Sequence, residues 1–339
     1  MHMPSYLGFR RPKKGSMGDL VANLAAGTLT GMTTSSFSHP MDTLKSRWQV
    51  ACRKTTGQTC FGFARTLLLQ EGLWMGLWRP GLAANVASMG CCVGMRNGLY
   101  TIFRDGIGHF EDRASGIPPS AAGKAGPVAM FTAGLFSGMA GYIITAPLLQ
   151  VKTRMQAEAG RIGPDGRYVT GLRRGHAPTY RSTFQALHAL ASARCPHERM
   201  RSLWRGAGVI VARGAALSGS QLMAYDAFKT MMKAYSLMED GPLLHVSASL
   251  VAAVICTTCH MPFDVVLVVY QSAQSLGCDR LRYIRSGPLA CANALLRESG
   301  PQVFLRGWTP AFVRLAPVCV FSFWLYEQLR RLVGIGYLD

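Results

Sequence analysis

Acidic residues are scarce in this chain, and so is charge of either sign. Asp and Glu number 17 against 36 Lys and Arg in 339 residues, and charged residues make up 16% of the sequence while hydrophobic ones make up 49%. A soluble enzyme needs more charge to cover its surface, and a disordered basic chain lacks this apolar content. The composition fits a membrane protein with basic connecting segments.

The chain also lacks a nucleic-acid-binding module and an aromatic-interleaved basic patch. Its formal net charge is +19, but the Lys and Arg residues lie between apolar stretches, where membrane proteins use them to meet anionic headgroups and to set topology. We find no nucleotide-binding loop, credible metal cluster or catalytic triad. We therefore expect no nucleic-acid partner, no enzymatic activity, no metal and no cofactor other than bound lipid.

The ten cysteines are scattered and indicate no disulfide framework. One spacing, from Cys256 to Cys259 and His260, fits the C-x-x-C-H pattern of c-type haem attachment. That pattern needs an accessible loop, whereas this segment lies in the apolar run 246–269, directly before Pro262. We therefore interpret these residues as small helix-packing residues.

Six apolar stretches have about the length needed to cross a bilayer. They are 19–48, 81–103, 125–155, 207–232, 242–270 and 309–333. An even number places both termini on one side of the membrane. Glycines at four-residue spacing predict close helix approach in lipid. They are Gly27 and Gly31, then Gly90, Gly94 and Gly98, then Gly134 and Gly138.

A ten-residue segment occurs three times. It runs from Pro40 to Gln49, recurs 107 residues later from Pro147 to Gln156, and recurs 115 residues after that from Pro262 to Gln271. In the first copy an acid follows the proline by two residues and a base follows the acid by three, so opposite charges lie one turn apart past a kink. Three charged kinks at one membrane depth are costly unless they share an interior and pair there. We predict that they form a gate.

These repeats resemble the signature of the mitochondrial carrier family, Pro-x-acid-x-x-base-x-base with a glutamine ten positions into the motif. The first copy matches in full, and the resemblance extends from about Gly18 to Val333. It implies an all-α membrane protein: six transmembrane helices in a threefold pseudo-symmetric barrel of three helix-loop-helix repeats, with short matrix-surface helices. The predicted parts are a basic N-terminal tail at 1–18 and carrier repeats at 19–113, 122–235 and 240–335.

The resemblance further assigns a matrix gate, in which the acid of each odd-numbered helix pairs with the base of the next. This rule pairs Asp42 with Lys152 and Asp264 with Lys45. The third pair would join two leucines, Leu149 and Leu267, and we interpret their joint presence as a matched loss because an apolar pair can replace an ion pair at little cost. The remaining gate residues are the kinks and the glutamine braces: Pro40, Pro147, Pro262, Gln49, Gln156 and Gln271.

A second family motif, aromatic-acid-x-x-base, closes the even-numbered helices at the opposite face. It occurs at Tyr225 to Lys229 and Tyr326 to Arg330, with a weaker version at Tyr100 to Arg104. The resemblance implies a cytoplasmic gate in which two of three ion pairs remain. Its residues are Asp226, Lys229, Glu327, Arg330 and Arg104.

The second half of the matrix motif follows each copy imperfectly, and includes Glu71, Glu198 and Glu298. In the family this stretch is a short matrix-surface helix that holds cardiolipin phosphates, and the positive end of a helix gives that role a physical basis. The implied lipid-binding residues are Arg79, Arg205, Gly206, Arg306 and Gly307.

Each even-numbered span contains one arginine before its closing tyrosine, namely Arg96, Arg213 and Arg314. We interpret these as unpaired charges within the membrane, which are expensive and mark functional sites. Guanidinium groups favour carboxylate or phosphate. Arg213 and Arg314 each precede a closing tyrosine by twelve residues, and Ser88 holds the equivalent place in the second span. The predicted substrate-binding residues are Arg213, Arg314, Ser88, Gly214 and Arg96.

The sequence around Arg213 and Arg314 is similar to that of the dicarboxylate, oxoglutarate and uncoupling branch of the family. We therefore expect a multi-pass carrier of the mitochondrial inner membrane that moves a small organic anion, a dicarboxylate or keto acid, by alternating access. Both termini would face the intermembrane space. The alternative is a carrier-fold structural subunit with weakened or lost transport, whose partners would be other subunits of an inner-membrane complex.

Overall fold

The computed structural model describes residues 17–51, 59–114, 127–192, 196–235, 242–276 and 287–315. Long helices correspond to the predicted spans: α1 (Met17–Val50), α3 (Leu82–Ala114), α4 (Pro127–Ala157), α7 (Ala207–Ala234) and α8 (Pro242–Leu276). Residues 308–315 are helical and begin the sixth predicted span. The tail predicted at 1–18 lies almost wholly outside the described residues.

Short helices lie between the members of each pair of long ones, as predicted. They are α2 (Cys60–Glu71), α5 (Thr183–Ala191), α6 (Pro196–Leu203) and α9 (Gly287–Ser299), with a π-helical turn at Trp74–Trp78 and a 3-10 turn at Pro301–Leu305. Two of them begin at hydroxyl caps. The hydroxyl oxygen of Thr59 accepts a hydrogen bond from the amide N–H of Gly62, and that of Ser182 accepts one from the amide N–H of Gln185. The described secondary structure is helical apart from one isolated bridge between Ile162 and Tyr168.

Two of the described helical segments are both long and apolar enough to cross a membrane, Phe131–Ala157 in α4 and Ser247–Ala273 in α8. The first span is more polar because α1 is rich in hydroxyl residues. Those hydroxyls are satisfied within the helix: Thr30 donates to the carbonyl of Ala26 at 2.7 Å and Thr34 to that of Thr30 at 2.7 Å. Six spans arranged as a barrel remain a prediction of the resemblance.

The chain forms two compact units, and the first contains residues up to Ser36 and from Val86 to Thr145. Here α1 and α3 pack closely at glycine, as predicted. A Cβ built at Gly31 would lie 2.5 Å from the carbonyl oxygen of Met89, so only glycine permits this approach. At Gly134 and Gly138, no atom of the described residues lies within 4 Å of an added Cβ. The close packing predicted for that pair is therefore absent from the described part of the chain.

The second unit contains the three proline kinks, inside α1, α4 and α8 respectively. Near the ends of these helices a small apolar cluster joins Val50, Ala157 and Val268. The segment with the haem-like spacing is part of α8: Cys256 is buried, and Nδ1 of His260 donates to its carbonyl oxygen at 2.7 Å. This placement supports the packing interpretation.

Candidate functional site

The carboxylate of Asp264, two residues past Pro262 at the α8 kink, has two cationic partners. Nζ of Lys45 lies 2.8 Å from Oδ2, and Nη1 of Arg213 donates to Oδ1 at 3.1 Å. The amide of Gln49 also donates to Oδ2 at 2.8 Å. The Asp264 side chain is 3% exposed. A carboxylate this deeply buried requires such partners, because desolvation of an unpaired charge costs several kcal/mol, on the order of 3 to 5 in the usual case.

Asp42 has a similar environment at the α1 kink. Nζ of Lys152 donates to its Oδ2 at 3.0 Å, and Nε of Arg314 lies 3.1 Å from Oδ1. Both contacts that the sequence predicted for the acids, Asp42 with Lys152 and Asp264 with Lys45, are therefore present. Six residues make up what we call the gate cluster: Asp42, Lys45, Lys152, Arg213, Asp264 and Arg314. All of them belong to the second unit.

The structure corrects one part of the sequence interpretation. Arg213 and Arg314 were expected to be unpaired, yet each forms an ion pair with a gate carboxylate. Both keep a partly open side chain, 22% exposed for Arg213 and 20% for Arg314. Each arginine thus contacts a gate carboxylate while part of its side chain stays exposed. A twelve-residue spacing from a tyrosine fixes depth along a helix but cannot show which neighbour a long side chain reaches.

The gate cluster has an excess of positive charge. Four cations face two carboxylates among its described members, so it has a net charge of +2. His39 and His260 lie in the same helices and are buried, but they are occupied by hydrogen bonds to the carbonyl oxygens of Pro80 and Cys256. Such an excess in a desolvated region favours anions.

The three predicted braces make different contacts. Only Gln49 contacts a gate carboxylate. The amide of Gln156 donates to the hydroxyl of Thr43 at 3.1 Å and accepts from Ser46 at 3.0 Å, which joins α4 to α1 beside the Asp42 pair. The amide of Gln271 donates to the carbonyl oxygen of Arg205 at 3.1 Å. The contact of Gln49 fits the brace role most directly, and that role stays a prediction for the three glutamines.

Leu149 and Leu267, at the place of the missing ion pair, are both buried, with 9% and 6% of their surface exposed. Burial of both side chains suits an apolar contact and removes the need for charge at this point. The sequence does not leave a lone acid or a lone base behind, and the matched replacement stays a prediction.

The sequence matches the family described as mitochondrial carrier protein over residues 17–110, 123–236 and 239–336. The chain belongs to the mitochondrial carrier family. Members of this family are transporters rather than enzymes. The three matched segments carry one copy each of the proline motif that builds the gate cluster.

Named relatives of this carrier-family chain cover most of its length. It is 28% identical over 307 residues to a probable mitochondrial 2-oxoglutarate/malate carrier protein of Dictyostelium discoideum, covering 90% of this chain and 87% of the relative. Identity to the mitochondrial 2-oxoglutarate/malate carrier protein of Mus musculus is 28% over 308 residues, covering 90% and 88%. Identity to the dicarboxylate carrier UCP2 of Danio rerio is 29% over 306 residues, covering 87% and 86%.

The predicted substrate-binding residues are divided between the two compact units. Ser88 and Arg96 belong to the first unit, whereas Arg213, Gly214 and Arg314 belong to the second. Ser88 is fully buried, so it presents no surface to a solute in this conformation. The Arg96 side chain is exposed, and its role in substrate binding stays a prediction. Gly214 is half-buried beside Arg213.

The cytoplasmic gate falls largely on residues that the structure does not describe. Glu327, Arg330 and the side chain of Asp226 lie outside the described residues. Arg104 forms an ion pair with its neighbour Asp105, with Nη2 3.0 Å from Oδ1. Lys229 is half-buried on α7. The predicted cytoplasmic gate therefore stays a prediction.

The residues assigned to lipid lie where short helices and turns meet the even-numbered helices. Gly206 and Gly307 adopt positive φ, 79° and 89°, one residue before a helix starts. Arg205 lies over the Tyr270 ring and Arg306 over the Trp48 ring, with distances of 5.8 and 4.6 Å to the ring centroids.

In the first repeat, the glycine of this turn is displaced by one residue. Arg79 is exposed and donates to the sulfur of Met75, Pro80 follows it, and Gly81 has the positive φ of 71°. The turn needed before α3 is thus formed one position later than the motif suggests.

Sequence reasoning did not single out one buried ion pair near the gate cluster. Arg47, at the end of α1, donates from Nη2 to Oε1 of Glu71 at 2.8 Å and from Nη1 to Oε2, and it also reaches the carbonyl of Gly76. Both side chains are almost fully buried. Arg47 is the second base of the first motif and Glu71 ends α2, so the motif itself contained the signal for this contact.

Proposed function

We propose that this protein exchanges a small organic dianion, a dicarboxylate or dicarboxylic keto acid, across the mitochondrial inner membrane by alternating access. The observation that carries the proposal is the charge excess of the gate cluster. Two carboxylates hold four cations, and two of those cations are arginines with partly open side chains. A solute with two carboxylates neutralises this excess, whereas a monoanion corrects half of it.

The shared arginines give the solute a way to loosen the gate. A solute carboxylate that binds Arg213 competes with Asp264, and one that binds Arg314 competes with Asp42. Each acid then keeps its lysine but loses an ion pair, so the closed arrangement is less stable with solute than without it. A ligand shifts a conformational equilibrium only by such a difference in interaction energy between the two states.

Bidentate geometry favours arginine for this role. Its planar guanidinium can hold a gate oxygen through one nitrogen and present other N–H groups to a second carboxylate. Arg314 contacts Asp42 through Nε. We propose that its terminal nitrogens bind the solute carboxylate.

The relatives support the class of solute. Proteins of comparable length that match this chain are named for 2-oxoglutarate and malate, or as a dicarboxylate carrier. Membership of the family supports a multi-pass protein of the inner membrane, with both termini toward the intermembrane space. Cardiolipin is proposed as the lipid that binds at the turns of Arg79, Arg205–Gly206 and Arg306–Gly307.

Uptake by proteoliposomes loaded with a panel of anions tests the proposal. We expect exchange of C4 and C5 dicarboxylates to exceed that of monocarboxylates, nucleotides and amino acids. Arg213→Lys and Arg314→Lys keep the charge but lose the planar guanidinium that can bind a carboxylate through two N–H groups. Each should raise the KM for a dicarboxylate by about tenfold. Arg174→Lys, at an exposed loop position, is the matched control and should leave KM unchanged.

Two results would contradict the proposal. One is faster exchange of monocarboxylates than of dicarboxylates. The other is no exchange of any anion together with stable migration in a high-mass complex on a native gel, which would favour the structural-subunit alternative.

A further inference from the structure

The loop between α4 and α5 is longer than its counterparts in the other repeats and has a defined structure. It folds as a short hairpin, in which the amide of Gly163 donates to the carbonyl of Arg167 at 2.9 Å and that of Val169 to the carbonyl of Arg161 at 2.7 Å. Ile162 and Tyr168 form a bridge across it. This hairpin presents Thr170 toward the first repeat.

The hydroxyl of Thr170 makes two hydrogen bonds. It accepts one from the backbone N–H of Arg161 at 2.8 Å and donates one to Oε1 of Glu71 at 2.6 Å. Because the amide of Arg161 occupies a lone pair of the oxygen, the hydroxyl hydrogen is directed to the carboxylate. A hydrogen bond to an ionised group is the stronger kind.

The acceptor is the Arg47–Glu71 pair of the first repeat. Glu71 is 1% exposed at its side chain and binds Arg47 through both oxygens. Arg47 directly follows Ser46, whose hydroxyl donates to Gln156 on α4. Thr170 therefore contacts the first repeat at the same helix end where the gate joins α1 to α4.

Arg173, later in the same loop, contacts residues of its own second repeat. Arg173 lies 3.2 Å from Oε2 of Glu158, and it also donates to the hydroxyl of Thr179. Glu158 is almost fully buried, and burial raises the pKa of its carboxyl above the ordinary value. The loop is thus anchored on its own repeat and extends to its neighbour through Thr170.

We propose that Thr170 is a positioning residue that links the second repeat to the Arg47–Glu71 pair of the first and stabilises the conformation in which α1 and α4 are joined. The effect on transport rests on the proposed function, but the link itself does not. Separation of α1 from α4 breaks the Asp42–Lys152 and Ser46–Gln156 contacts, and the link resists that separation from the adjacent loop.

Three variants isolate the hydroxyl. Thr170→Val removes it while keeping the shape, and Thr170→Ser restores it. Thr179→Val is the matched control, because Thr179 belongs to the same loop but contacts Arg173 of its own repeat. All three variants are made in the full-length chain and checked for monodispersity in detergent.

Hydrogen exchange tests the link without reference to transport. In Thr170→Val we expect amides in the peptide that covers α2 to exchange about fivefold faster than in the wild type. Thr170→Ser should restore the wild-type rate, and Thr179→Val should speed exchange in 158–180 only. Unchanged exchange of α2 in Thr170→Val, or an equal increase in Thr179→Val, would overturn the proposal.

Transport kinetics test the stabilised conformation. Loss of a contact made in one state lowers the population of that state, so the KM measured from the face open in this conformation should rise and the KM from the opposite face should fall. We expect their ratio to change by about fivefold in Thr170→Val and to be unchanged in Thr179→Val. An unchanged ratio in an active Thr170→Val variant would overturn the positioning role. If the wild-type chain exchanges no anion, the proposed function is refuted. The rate of amide hydrogen exchange in α2 then still shows whether Thr170 links the two repeats.

Discussion

Asp42 and Asp264 occupy the same position in two copies of one motif, yet they are held differently. Each has one lysine and one arginine as partners. Asp264 also accepts a hydrogen bond from Gln49, and its side chain is 3% exposed against 10% for Asp42. The glutamine that corresponds to Gln49 on α4, Gln156, binds hydroxyl groups of α1 instead. We call the contacts of each acid a junction, and we expect the Asp264 junction to be stronger than the Asp42 junction.

Neutralising each acid in turn gives the largest expected effect. Asp264→Asn leaves Lys45 and Arg213 without their carboxylate in a region with little water, and Asp42→Asn does the same to Lys152 and Arg314. Breaking a buried pair from one side costs about 3 to 5 kcal/mol. We expect dicarboxylate exchange to fall at least about a hundredfold in Asp264→Asn and less in Asp42→Asn, measured in proteoliposomes with equal amounts of monodisperse protein. A greater loss in Asp42→Asn would reverse the order of the two junctions.

Reversing a charge pair tests the stronger junction directly. Asp264→Lys places a third cation beside Lys45 and Arg213, so exchange should be lost as it is in Asp264→Asn. Addition of Lys45→Asp restores an opposite pair, and we expect partial recovery, because Arg213 still repels the lysine introduced at 264. Exchange and apparent melting temperature are measured for both single variants and the double. No recovery in either measurement would show that Lys45 and Asp264 are not partners.

Removal of the glutamine should make the two junctions more alike. Gln49→Leu deletes the third partner of Asp264 while leaving both ion pairs, and a hydrogen bond to a charged group contributes about 1.5 to 3 kcal/mol. We expect a several-fold change in exchange rate and a lower apparent melting temperature. In the Gln49→Leu background, Asp264→Asn should cost no more than Asp42→Asn does. If the difference between the two asparagine variants persists in that background, the glutamine is not its cause.

Much of this site could be predicted from the sequence. Motif spacing and the family pairing rule identify Asp42 with Lys152 and Asp264 with Lys45, because both partners lie at fixed positions of a repeat. The same rule does not predict the contacts of Arg213 and Arg314 with those acids, since a helix position does not fix the reach of a flexible side chain.

Two further features lay beyond sequence reasoning. The contact of Thr170 with Glu71 joins residues 99 positions apart through a loop without any periodic pattern. Ser88 was predicted from its depth along α3, and the structure buries it completely. Depth could be counted along the chain, whereas the direction of a side chain depends on neighbours that are distant in sequence.

The smallest expected effect is that of a double variant at the third junction, where Leu149 and Leu267 replace an ion pair. Leu149→Asp or Leu267→Lys alone introduces a buried charge opposite a leucine, so each single variant should lose most of its exchange activity. The double variant restores the pair found at the other two junctions. Because a buried ion pair and a well-packed apolar pair are often close in stability, we expect exchange within about threefold of the wild type. A double variant as impaired as the single ones would show that α4 and α8 do not meet as α1 meets α4, and that the leucines are not a matched replacement.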